Sequence, residues 1–110
     1  MNKILNRNLI QRYSRQIVLK NVGPNGQKQI LKSKVLVVGA GGLGCPVIDY
    51  LSRAGVGNIG IVDNDKVSIS NIHRQSLYNS KDLGKFKVNV VKQKIKLINP
   101  QIKIKTFNKR

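Results

Sequence analysis

Lys34-Val35-Leu36-Val37-Val38-Gly39-Ala40-Gly41-Gly42-Leu43-Gly44 is the stretch on which the fold turns. Val35 to Val38 is a continuous apolar run that stops at a glycine, which predicts a strand buried on both faces and hence part of a parallel sheet. The G-x-G-x-x-G at Gly39 to Gly44 follows without a gap. Val47, Ile48, Leu51 and Ala54 then share one helical face from Pro46 to about Ala54, and Gly55 and Gly57 end that helix. A strand, a glycine turn and a helix in succession give each glycine a physical task. Gly39 makes the tight turn, Gly41 lets backbone approach a phosphate closely, and Gly44 allows helix against strand. The helix N-terminus beyond them adds about half a positive charge for an anion.

Working outward, Asn58 to Val62 predicts a second strand closed by Asp63-Asn64-Asp65. Lys66 to Leu83 is polar and irregular, with one helical turn near Asn71 to Gln75. Val88, Val91, Ile95 and Ile98 mark an amphipathic helix within Gly84 to Ile98, stopped by Asn99-Pro100. Gln101 to Thr106 alternates as a third strand. On the other side, Leu9, Ile10, Tyr13, Ile17 and Val18 recur at helical spacing and predict a helix, and Pro24 to about Lys32 predicts a second one with Pro in its first turn.

The fold class is therefore α/β. An N-terminal helical segment, residues 1–33, precedes a Rossmann-like β-α-β-α-β half-domain with a parallel sheet, residues 34–110. Such a half normally continues into further strands, so the chain is expected to be truncated, with its third strand an unpaired edge and with marginal stability.

Composition narrows the class further. The 110 residues suit one small domain or part of one, and 40 % hydrophobic residues suffice for a core. A single cysteine, Cys45, excludes a disulfide framework and an all-cysteine metal site. Met1 to Arg12 interrupts every apolar run with polar residues, so neither a signal peptide nor a membrane span is expected, and the cytoplasm is the expected compartment. The net charge of +17 invites a nucleic-acid reading. Yet 15 of the 21 cations are Lys, Glu is absent, and Ile and Asn number 13 and 12, a drift that AT-rich coding produces. The expectation is a solvated basic surface with no specific nucleic acid and no membrane as partner. A basic nucleic-acid-binding module remains the alternative, with affinity falling steeply in salt if charge alone drives it.

Asp63 lies 19 positions after Gly44 at the end of the second strand, where an acid in this fold binds ribose hydroxyls. Those features alone would suit an NAD-dependent oxidoreductase. Asp65, Ser70-Asn71-Ile72-His73-Arg74-Gln75 and Lys87 favour a nucleoside triphosphate instead, because cations are needed against its phosphates as the α-phosphate is attacked. Cys45 at a helix start is expected to be a small buried hydrophobe. His73, without an obvious orienting partner, is expected to be a neutral loop residue.

R-Y-S-R-Q-I (Arg12 to Ile17), V-V-G-A-G-G-L-G-C (Val37 to Cys45), A-G-V-G (Ala54 to Gly57), D-N-D (Asp63 to Asp65), S-N-I-H-R-Q (Ser70 to Gln75), G-K-F-K (Gly84 to Lys87) and I-N-P (Ile98 to Pro100) occur in order. Together they resemble the N-terminal part of the ThiF/MoeB/HesA adenylyltransferases, bacterial relatives of ubiquitin-activating enzymes, over about residues 9–110. The resemblance implies Mg-ATP-dependent adenylylation of the C-terminal glycine of a ubiquitin-like sulfur-carrier protein ending in Gly-Gly. By position it places Gly39, Gly41, Gly42 and Gly44 at the nucleotide, Asp63 on the ribose, and Asn71, Arg74 and Lys87 at the phosphates, with Ser70 and Asp65 among the nucleotide-binding residues and Arg15, Arg74 and Lys87 as the catalytic ones. Arg15 resembles an arginine lent across a homodimer. R-Y-S-R-Q-I, Leu77 to Leu83 and the terminal Phe107 to Arg110 look more like the thiamine branch than the molybdopterin branch. The resemblance also implies a magnesium-binding aspartate, a structural zinc on paired C-x-x-C motifs and a sulfur-transfer cysteine, and this sequence has none of these, which puts turnover by this chain alone in doubt.

Overall fold

In chain order, the computed structural model places α1 (Arg7–Arg12), α2 (Ser14–Ile17), α3 (Gly23–Lys32), β1 (Lys34–Val38), α4 (Gly44–Ala54), β2 (Asn58–Val62), α5 (Ile69–Ile72), a 3-10 turn (Ser80–Asp82), α6 (Lys87–Ile98) and β3 (Lys103–Phe107). It describes residues 6–109, so residues 1–5 and Arg110 of the sequence reading lie outside the described residues. The strands form one parallel sheet in the order β1-β2-β3.

The register explains what is buried. Val35, Ile59 and Ile104 stand side by side, as do Val37, Ile61 and Thr106. Each strand-helix-strand step moves one place in the same direction, and right-handed crossovers then lay α4 and α6 on the same face. Ile48 of α4 and Val88, Val91 and Ile95 of α6 pack with Val37, Ile59 and Ile61 into the main core. The opposite face carries Leu36, Gly60 and Lys105 in one row and Val38, Val62 and Phe107 in the next. Leu36 is 59 % exposed there and Val38 76 %. The expected burial of β1 on both faces is thus corrected to burial on one face, the face on which both crossover helices lie. An open groove of about 570 Å³ crosses this bare face between Leu36, Gly60 and Phe107.

Several element boundaries also shift. The N-terminal helix breaks at Tyr13, whose φ of −107° and ψ of 16° leave the helical region. Helix α4 begins at Gly44 rather than Pro46, with the proline still inside its first turn, where no N–H is required. Helix α6 begins at Lys87, not Gly84, since Gly84 has φ +81° and Phe86 pairs antiparallel with Lys66. The turn predicted near Asn71 to Gln75 is α5, slightly earlier.

The N-terminal helices dock where α4 and α6 end. The side-chain amides of Gln16 and Gln27 both donate to the Ala54 carbonyl, at 3.0 and 3.1 Å. Gly55 adopts φ +96°, and a Cβ there would stand 2.7 Å from the Tyr13 ring. Asn99, fully buried after α6, donates from Nδ2 to the Tyr13 hydroxyl at 2.7 Å and to the Ser52 carbonyl at 3.0 Å. Asn99→Ala would leave that hydroxyl buried without its donor. It is expected to cost about 1–3 kcal/mol, read as a lower urea midpoint with an unchanged m-value.

Candidate functional site

The turn after β1 is held from three sides. Gly39 reverses the chain with φ +96° while its N–H donates to Val62 O at 2.7 Å. Ala40, fully buried, donates its N–H to Asp63 Oδ2 at 2.8 Å, and its carbonyl accepts the Tyr78 hydroxyl at 2.6 Å. The Cys45 thiol also points to that carbonyl, at 3.3 Å. Asp63 Oδ1 accepts the Asp65 N–H at 2.7 Å, and Asp65 O accepts the Lys87 N–H at 3.0 Å. The two β-strand ends and the start of α6 are therefore one connected edge.

Neither Gly41, Gly42 nor Gly44 has a positive φ, so their need for glycine is not conformational. A Cβ on Gly44 would collide with the Gly39 carbonyl, whereas Val37, at 3.9 Å, is only in ordinary contact. The reason for glycine at Gly44 is therefore closure of the loop on itself, and the expected helix-against-strand packing is secondary. A Cβ on Gly41 would find nothing closer than Gln75 Nε2 at 3.8 Å, and one on Gly42 would meet Arg74 Nη1 at 3.3 Å. The chain itself thus has room for a methyl group over Gly41.

The remaining predicted residues divide. Arg74 is exposed with its guanidinium beside Gly42. Lys87 opens α6, is only 5 % exposed, and holds its ammonium 5.9 Å above the Tyr78 ring. Among the described residues it has no carboxylate within ion-pair range. Asn71 is buried, and its Oδ1 accepts both the Ser68 N–H and hydroxyl at 3.0 Å, so that end of the amide serves the start of α5. Ser70 faces Ser68 at 3.0 Å and is exposed, as are His73 and the Asp65 side chain. Arg15 is not brought to this edge. It lies exposed on α2, which docks at the far end of α4, about 16 Å away along an 11-residue helix. Ala40, Gln75 and Tyr78 belong to the site although sequence reasoning gave them no role. Their signal was present as the alanine of V-V-G-A-G-G-L-G-C, the last letter of S-N-I-H-R-Q and the tyrosine of the Leu77 to Leu83 stretch.

Among the described residues no cluster of three or more His, Cys, Asp or Glu could hold a metal ion. The carboxylate of Asp63 is already engaged by two backbone N–H groups, and Cys45 is buried against a carbonyl. This donor set does not fit a resident magnesium or zinc ion. No helix among the described residues is long and apolar enough to cross a membrane.

Burial pushes the Cys45 thiol above its ordinary value and pushes the Tyr78 hydroxyl up as well, so both are neutral in the fold. Acids raised by folding lend stability that is complete below their ordinary values and is lost as pH climbs toward the folded ones. Stability is accordingly expected to fall above about pH 9, from the ordinary thiol value of 9.0 upward. Denaturant midpoints against pH would show it, with a flatter fall in Tyr78→Phe.

The glycines separate in the same assay. Gly44→Ala is expected to destabilise the chain by several kcal/mol, since backbone must move to admit the methyl. Gly41→Ala should leave unliganded stability within about 0.5 kcal/mol.

Comparison with known proteins agrees with this architecture. A family model described as "ThiF family" matches residues 13–110. A "Sulfur carrier protein adenylyltransferase" of Thermus thermophilus is 45 % identical over 98 residues, which covers 89 % of this chain and 36 % of that protein. A "Probable molybdopterin-synthase adenylyltransferase" of Gracilaria tenuistipitata var. liui is 47 % identical over 98 residues, covering 89 % of this chain and 28 % of that one. Thus the chain spans about a third or less of these curated relatives. Among solved structures, the E. coli tRNA N6-threonylcarbamoyladenosine dehydratase TcdA in complex with ATP superposes with a TM-score of 0.89 at 25 % identity, over 96 % of this chain and 43 % of that one. With the glycine turn, the acid after β2 and the Arg74–Lys87 pair of cations in place along one sheet edge, the chain belongs to the ThiF family.

Proposed function

We propose that this chain is the nucleotide-binding part of an adenylyltransferase that activates the C-terminal glycine of a ubiquitin-like sulfur-carrier protein. A carboxylate oxygen of that glycine attacks the α-phosphorus of ATP. The bond from the α-phosphorus to the bridging oxygen breaks, pyrophosphate leaves with the electron pair, and an acyl adenylate remains. The observation that carries the reading is the pairing of bare space over Gly41 with two cations, Arg74 and Lys87, that lack acidic partners among the described residues.

In this reading Gly39, Gly41, Gly42 and Gly44 take the phosphates against backbone. Asp63 has lone pairs left beyond its two N–H bonds, and these accept from the ribose hydroxyls. Lys87, Arg74 and the free amide nitrogen of Asn71 offset charge on the phosphates and on the departing pyrophosphate, with Ser70 and Asp65 at the rim. Magnesium accompanies ATP as part of the substrate rather than occupying a site built by these residues. A second copy of the chain would lend Arg15, so the working form is proposed to be a homodimer, in the cytoplasm. Zinc, if the complete enzyme holds one, sits outside the residues described.

For the carrier, R-Y-S-R-Q-I and Leu77 to Leu83 favour a thiamine-pathway protein. A molybdopterin-synthase carrier is supported equally by the names of the relatives.

ATP is expected to raise the melting midpoint of the chain in proportion to log concentration, and NAD is not. Arg74→Ala and Lys87→Ala should each weaken ATP about tenfold or more, and Gly41→Ala should do so without loss of unliganded stability. Pyrophosphate exchange into ATP should require a carrier ending in Gly-Gly. Stabilisation by NAD with none by ATP would overturn the adenylyltransferase reading in favour of an oxidoreductase.

A further inference from the structure

Helices α4 and α6 lie on the same face of the sheet, and their outer surfaces differ. The exposed residues of α6 are Asn89, Gln93, Lys96 and Leu97, the mostly polar surface that a helix facing water presents. At the N-cap and along the length of α4, Leu43, Val47 and Tyr50 stand at i, i+4 and i+7 and form one stripe. They are 87 %, 46 % and 71 % exposed, while Cys45, Ile48 and Ser52 on the opposite side of the helix are buried. Apolar side chains therefore run along both sides of α4, and the core accounts for only one of them.

Charge singles out the same surface. The chain carries 15 lysines, four of them on α6 and none on α4. The two charges of α4, Asp49 and Arg53, pair with each other at 2.7 Å. In a molecule of net charge +17, α4 is thus a face on which a second copy can settle without lysine meeting lysine. The spacing is also self-complementary. Two copies of the stripe laid antiparallel about a two-fold axis put Val47 opposite Val47 and Leu43 opposite Tyr50. We infer that the Leu43–Val47–Tyr50 stripe of α4 is the seam of a two-fold homodimer, packed antiparallel against the same stripe of a second copy. The inference rests on the homodimer reading above and names its seam. Gln16 of α2 docks at Ala54, the C-terminal end of α4, and the glycine turn sits at the N-terminal end. An antiparallel seam carries α2 of each copy, and with it Arg15, toward the glycine turn of the other, two places that one chain holds about 16 Å apart.

Three side chains from each copy are far fewer than the roughly 20–30 residues a side of a stable interface, so association is expected at micromolar concentration. Sedimentation velocity of the 110-residue chain from about 1 to 100 μM should show a concentration-dependent dimer. Val47→Lys and Tyr50→Glu are each expected to weaken dimerisation by about tenfold or more. The melting midpoint of the dilute variants should stay within about 3 °C of the unaltered protein, since both sites are exposed in the single chain. Cross-linking reads the position of the seam. At equal concentration under diamide, Val47→Cys should form a disulfide-linked dimer about tenfold faster than Gln93→Cys on the outer face of α6. The chain's own Cys45 is buried and gives no background.

A dimer that survives either charged substitution, or equal cross-linking at the two positions, places the seam elsewhere and overturns the inference while a homodimer stands. A chain that stays monomeric at about 100 μM overturns both. Neither result touches the ATP reading, which the nucleotide-dependent melting shift decides separately.

Discussion

Asp63 holds the carboxyl edge of the sheet together with one carboxylate. It accepts the Ala40 N–H at 2.8 Å on one oxygen and the Asp65 N–H at 2.7 Å on the other. The first bond ties the glycine turn after β1 to the end of β2. The second orders the segment whose next hydrogen bond starts α6 at Lys87. Tyr78 completes the arrangement from the opposite side, through the same residue, by donating to the Ala40 carbonyl. Charged acceptors make stronger hydrogen bonds to backbone than neutral ones, so this one carboxylate helps fix three chain segments. The expected ribose-binding acid is, in the unliganded chain, first a structural clip.

Most of the architecture was legible because periodicity and punctuation agreed. The β-branched runs, the glycines after them and the Val88–Val91–Ile95–Ile98 spacing each specify a local geometry that the packing then uses. What was not legible depends on partners distant in sequence. Helix α6 starts three residues late because Lys66 pairs with Phe86, and the first helix breaks because the Tyr13 ring is drawn to Gly55 and Asn99. Strand burial failed in a different way. A continuous apolar run says that a strand could be covered twice, and only crossover handedness together with the strand order says which face is covered in these residues.

The site divides along the same line. Its glycines and acid announce themselves by motif, and the structure refines their reasons, assigning conformational need to Gly39, self-closure to Gly44 and free space to Gly41. Tyr78 carries no such pattern, and for Gln75 the motif S-N-I-H-R-Q names the residue without naming its task. A tyrosine that anchors a carbonyl and a glutamine with a stranded oxygen are visible only when burial and hydrogen bonds are known residue by residue. Arg15 shows the converse limit. A motif drew attention to it, yet within one chain α4 separates it from every other site residue.

The basic composition, discounted as drift when the sequence is read alone, has a consequence at this edge. The chain has four acids, all aspartates. Asp49 is paired with Arg53 at 2.7 Å and Asp82 with Lys94 at 3.4 Å, both away from the glycine turn in sequence and in partner. Asp63 is engaged by backbone N–H groups, and Asp65 is exposed. Lys87 therefore lies buried over an aromatic ring with no carboxylate to neutralise it among the described residues, and Arg74 stands beside Gly42 in the same condition. Scarcity of acids, whatever its origin, leaves these two cations without carboxylate partners among the described residues, which supports the phosphate role proposed for them. The charge that says little about nucleic acid thus goes with two cations that have no acidic partner at this edge of the sheet among the described residues.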